Sequence, residues 1–205
     1  MTEITGRTSK GGIKSWLFRS TGLARVESVS FHAEEESAHV GDAYIGHAVC
    51  HTAAAASGVL IAITNNTADK NFHITRLYID PQTITPVDLL LVQGITPVGL
   101  TGGTDATTTA VVQKHTSKPN QFITGGAEVK ISDGSADLTY TSGTEFHEWP
   151  VTSRLSTQRN MNGTNVIGPG GTWYIAYKRE GGGTATDGEK IAISVNGYVG
   201  DTVKE

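Results

Sequence analysis

Thr172-Trp173-Tyr174-Ile175-Ala176-Tyr177-Lys178-Arg179, followed after a glycine-rich loop by Glu189-Lys190-Ile191-Ala192-Ile193-Ser194-Val195-Asn196-Gly197-Tyr198-Val199, decides how this chain is read. Successive side chains of a strand point to opposite faces, so Trp173, Ile175 and Tyr177 share one face, as do Ile191, Ile193 and Val195. Gly168-Pro169-Gly170-Gly171 supplies the turn that leads in. The pattern predicts two buried strands closing a sandwich, and hence an all-β protein.

Working outward, the composition agrees. The 205 residues include 28 threonines and 25 glycines, which favour strands and tight turns over helices. This length supports one sizeable core, so a single domain is expected. Val59-Leu60-Ile61-Ala62-Ile63 is a continuous apolar run, the mark of a strand covered on both faces. The polar turn Asn65 to Lys70 then leads to a strand over 71–80, and the two read as a hairpin. Further strands are expected over 25–32, 43–52, 87–92, 110–114, 127–132, 136–141 and 145–151. Residues 96–109 read as a surface excursion, and the polar stretch 152–167 as a long loop over the sandwich edge. Neither a fixed-period repeat nor a heptad pattern is visible. The predicted architecture is a single jelly-roll-like β-sandwich over residues 26–205, preceded by an extended basic N-terminal arm, residues 1–25.

Charge is sparse and uneven. The formal net charge is −4, which argues against a surface built to neutralise phosphates, so no nucleic-acid partner is expected. Arg7, Lys10, Lys14, Arg19 and Arg25 stand against Glu3 alone near the N-terminus, and Glu34-Glu35-Glu36 follow. The stretch reads either as a solvated face or as an arm that docks on an acidic surface. No apolar run approaches the roughly 20 residues that span a bilayer, and no secretory leader is visible, so synthesis in a reducing cytoplasm without membrane contact is expected. Cys50 is the single cysteine, which excludes a disulfide framework and reads as a small buried residue. The glycosylation-type patterns at Asn65 and Asn162 read as turns.

Few constellations carry chemistry. His47 and His51, four apart, fall on one face and are the weak metal candidates, with Asp42 or Glu36 as a further ligand. Glu145-Phe146-His147-Glu148-Trp149 holds two carboxylates, but strand alternation puts Glu145 and Glu148 on opposite faces, with Phe146 and Trp149 packing. The glycine-rich stretches match neither a phosphate loop nor a dinucleotide fingerprint, and there is no nucleophile elbow. Catalytic residues and cofactors are therefore expected to be none.

Several segments together carry a resemblance: the basic N-terminal stretch, the Asn-Asn-Thr-Ala-Asp-Lys turn at 65–70, Phe-His-Ile-Thr-Arg-Leu-Tyr-Ile-Asp at 72–80, Gly-Pro-Gly-Gly-Thr-Trp-Tyr-Ile-Ala-Tyr at 168–177 and Asn-Gly-Tyr-Val at 196–199. Over about residues 25–200 the chain resembles the jelly-roll head decoration (cement) proteins of tailed bacteriophages. The resemblance implies a non-enzymatic virion protein that binds the major capsid protein on the capsid exterior, as a homotrimer, and stabilises the shell. Arg7, Lys10, Lys14, Trp16, Phe18 and Arg19 are then the expected docking residues, with Trp16 and Phe18 either filling a capsid pocket or joining the first strand of the core. The alternative is a carbohydrate-binding module using Trp149 and Tyr174.

Overall fold

The computed structural model describes residues 3–7, 13–18, 24–29, 42–53, 55–83, 89–113, 126–151, 156–179 and 189–201. Three strands, β1 (Glu3–Arg7), β2 (Ile13–Phe18) and β3 (Ala24–Val29), form an antiparallel meander in which Ile4 and Val26 flank Trp16 in register. Within the basic N-terminal stretch, residues 3–7 and 13–18 are thus paired strands, and residues 13–18 pair on their other side with residues 24–29.

The rest is a sandwich. One sheet runs in the order β10 (Val111–Gln113), β4 (Ala43–His51), β16 (Lys190–Asp201), β6 (Lys70–Thr83), β14 (Thr157–Ile167). The other runs β13 (Ser142–Pro150), β7 (Leu89–Val98), β15 (Thr172–Arg179), β5 (Ser57–Asn65), β11 (Ala127–Ile131), β9 (Thr104–Asp105), with β12 (Leu138–Thr139) and β8 (Thr101–Gly102) attached beside β5. A single helical turn, α1 (Thr107–Ala110), follows β9 and buries Ala110. The eight longest sandwich strands pair antiparallel in a nested set: β4 with β16, β5 with β15, β6 with β14 and β7 with β13. These pairs alternate between the two sheets, which is the winding of a jelly roll. The two strands that opened the sequence analysis each sit inside a different sheet, and their apolar faces meet in the core.

The main core lies between the sheets and includes Leu60, Ile61, Phe72, Ile74, Leu77, Trp173, Ile175, Tyr177, Ile191, Ile193 and Val195. A second apolar cluster covers the outer face of the larger sheet, where Val59, Ala62, Val92, Tyr174 and Ala176 meet Leu138, Leu100 and Tyr140. Two covered faces explain why β5 is apolar throughout, as expected from the sequence. They also bury Tyr174, whose position on the opposite face from Trp173 the alternation anticipates.

The hairpin expected between β5 and β6 does not form, because the two strands belong to different sheets. Asn65 makes the crossing. Its Nδ2 donates to the carbonyls of Lys70 (2.7 Å) and Ile167 (2.8 Å), while its Oδ1 accepts from the backbone N–H and hydroxyl of Thr67. Its backbone binds the Gly170–Gly171 turn, where Gly170 takes φ +73°. The same Asn-Thr composition serves a hairpin or an arch, so local sequence does not separate them. Residues 157–167, read as part of a loop, form edge strand β14; an edge position asks for few apolar side chains, which hides it from pattern reading.

Candidate functional site

Among the described residues β13 forms one edge of the larger sheet, and its irregularities set the surface there. Thr96, at φ 53°, adds one residue to β7 opposite Ser142–Thr144, so Ile95 and Val98 fall on the same face. Phe146 is the extra residue on β13 between the pairs Glu145–Gly94 and His147–Gln93. Three large apolar side chains of β7 and β13 stand exposed: Phe146 is 46% exposed, Ile95 40% and Val98 55%.

The Phe146 bulge also resets the alternation. Glu145 pairs with Gly94 and Glu148 with Val92, two positions on one face of β7, so the two carboxylates share the outer face rather than opposing ones. Glu145 is occupied there: Lys178 Nζ and the Tyr140 hydroxyl (3.1 Å) both donate to it. Burial and the Glu145 charge hold the Tyr140 phenol well above its ordinary range. Glu145 thus acts as a structural acceptor beside the second cluster. Of the pair expected to pack, Trp149 is buried at 4% and Phe146 is not.

Trp149 and Tyr174, the aromatic pair of the carbohydrate alternative, do not come together. Trp149 belongs to the core between the sheets and Tyr174 to the cluster on the opposite face, both shielded from solvent. The alternation of β15 forces this separation, and neither ring is a stacking platform. His147 packs against Trp149 with ring centroids 5.3 Å apart, and Arg159 of β14 lies over the indole at 5.5 Å.

His47 and His51 do lie on one face of β4, but strand rise separates them by about 13 Å, too far to share an ion. His47 Nδ1 instead meets the Ser194 hydroxyl at 2.7 Å. Among the described residues no cluster of three metal-ligating side chains occurs; Glu36 lies outside them. Cys50 is buried in the core as expected, and burial pushes its thiol up to about 12, which keeps it protonated. Of the docking residues, Arg7 closes β1, and Lys14, Trp16 and Phe18 occupy alternate positions of β2, with Lys14 opposite Gly6 and Ser28. Lys10 and Arg19 lie outside the described residues.

The opposite end of β15 carries a buried ionic knot. Arg179 Nη2 contacts Glu189 Oε2 at 2.7 Å with side chains 2% and 4% exposed, and also reaches the Thr52 hydroxyl at 3.1 Å. Arg179 Nε donates to the Ala55 carbonyl, and the Tyr177 hydroxyl accepts from the Ala53 N–H at 3.0 Å. These bonds fasten the chain after β4 to both sheets. Sequence reading missed this knot and the exposed apolar side chains of β7 and β13. A lone Arg closing an apolar strand was the available signal for the first, and bulges leave almost none for the second.

No family model, curated protein or solved structure matches this chain.

Proposed function

We propose that this chain is a non-enzymatic structural protein of a virion, seated on the capsid exterior as a homotrimer and bound to the major capsid protein. The observation that carries this reading is the β13 edge, where Phe146, Ile95 and Val98 stand exposed near a strand that, among the described residues, is paired on one side. Such an edge is a pairing hazard in an isolated molecule and is neutralised when a neighbour covers it. Jelly rolls are used by viral capsid and lectin domains alike. The lectin alternative loses its support here, because its aromatic platform is buried. In the assembly reading the β13 edge contacts the neighbouring copy, and the basic N-terminal meander, with Arg7 and Lys14, faces the capsid.

Light scattering coupled to size-exclusion chromatography tests the first contact. The wild-type chain is expected to run as a trimer and Phe146→Asp as a monomer with an unchanged circular dichroism spectrum. A wild-type monomer at tens of micromolar overturns the assembly reading. Co-sedimentation of Arg7→Glu/Lys14→Glu with virus shells tests the second contact, and undiminished binding overturns the role given to the meander.

A further inference from the structure

We propose that the inward faces of β7 and β13, where Arg159 of the facing β14 lies over Trp149, hold a carboxylate-binding site. Gln93 Nε2, Trp149 Nε1 and Arg159 Nε are all shielded from solvent and have no hydrogen-bond partner. The sheet register brings them together. Trp149 stands opposite Leu91, and His147 opposite Gln93, so Gln93 and Trp149 are diagonal neighbours on the inward face. Arg159 reaches them from the facing sheet, where it pairs with the buried Leu77, and its guanidinium carbon lies 5.5 Å from the centre of the Trp149 ring.

The chemistry of the set is one-sided. Indole and guanidinium nitrogens only donate, and the free atom of Gln93 is its NH₂. One water oxygen accepts two hydrogen bonds, fewer than these groups offer. A carboxylate has about four lone-pair sites and a charge that matches Arg159. The nearby acids of β13 do not fill the role, because Glu145 and Glu148 share the outer face. A buried glutamine and a tryptophan on one face, with an arginine opposite, therefore form a receptor for an acceptor-only anion, and a carboxylate supplies that chemistry. Trp173 Nε1 also lacks a partner; Trp173 is the diagonal neighbour of Gln93 on β15, opposite Ile95, on the side of Gln93 away from Trp149. The site stands independently of the assembly reading.

The test is a ¹⁵N–¹H titration of the full chain followed at the tryptophan indole signals, with Trp149→Phe assigning its resonance. Acetate is expected to shift the Trp149 indole saturably, chloride at equal ionic strength to leave it in place, and Arg159→Gln to weaken acetate binding by about tenfold. An unchanged circular dichroism spectrum shows that the variant is folded; if it is not, Arg159→Lys replaces it. Doubly blocked glutamate is the second probe. Saturation by acetate assigns the site to free small carboxylates, and saturation by blocked glutamate alone assigns it to an acidic side chain of a protein. A Trp149 signal that ignores both probes, moves equally with chloride, or titrates unchanged in the arginine variant overturns the proposal.

Discussion

Asn65 Nδ2 donates to the carbonyl of Ile167 at 2.8 Å across 102 residues of sequence, and so locks the β5–β6 arch to the end of β14. The same amide binds Lys70. Asn65→Ala takes the side-chain partner from two backbone carbonyls and from the Thr67 N–H. The expected loss is about 3 kcal/mol of unfolding free energy, read by urea denaturation. Asn65→Asp loses nearly as much, because it keeps the Thr67 contacts and cannot donate.

Breaking the Arg179–Glu189 pair from one side strands a buried charge. Arg179→Met or Glu189→Leu alone is expected to cost about 3–5 kcal/mol, and the double variant to recover a large part of it. Denaturant midpoints of the four proteins check the cycle. Additive losses would mean that the two groups do not stabilise one another.

Tyr174 fills the space over Gly94 and Gly143, and its buried hydroxyl has no partner. Tyr174→Phe is therefore expected to be neutral or stabilising by up to about 1 kcal/mol. Gly143→Ala, whose methyl would collide with that hydroxyl, is expected to cost about 1–3 kcal/mol and to be partly rescued by Tyr174→Phe. Thermal melts of the three variants decide it.

His73 stacks on Tyr198 at 4.5 Å, with the rings 6° from parallel, and burial lowers its pKa from the ordinary 6.5. As pH falls through 6.5 the unfolded chain takes this proton before the folded one does. The contribution of His73 is thus present above 6.5 and lost below it. The midpoint of thermal unfolding should fall between about pH 7.5 and 5.5, and less steeply in His73→Gln. Equal slopes would remove His73 from the acid response.

Alternation made the core legible, since Trp173, Ile175 and Tyr177 and Ile191, Ile193 and Val195 all lie between the sheets. It failed where the backbone departs from strict period two. The extra residue at Phe146 moved Glu145 and Glu148 onto one face, and no local signal announces such an insertion. Pairing partners were also hidden: nothing in residues 57–80 says that β5 seeks β15 rather than β6. The candidate site was half visible, because Trp149 drew attention as an aromatic while Gln93, a lone polar residue in Leu89-Leu90-Leu91-Val92, went unremarked.

The nested pairing of the sandwich imposes an order on its formation. Among the described residues β4 and β6 pair with β16 and not with each other, so the smaller sheet has no centre until residues 190–201 have been synthesised. β7 with β13 is the innermost couple and closes the shortest loop of the four, and β4 with β16 closes the longest, at the greatest entropic cost. Folding is accordingly slow and dominated by distant contacts. During synthesis the apolar faces of β4 and β6 wait uncovered, which makes a holding chaperone, or a neighbouring copy, most valuable before the last strand arrives.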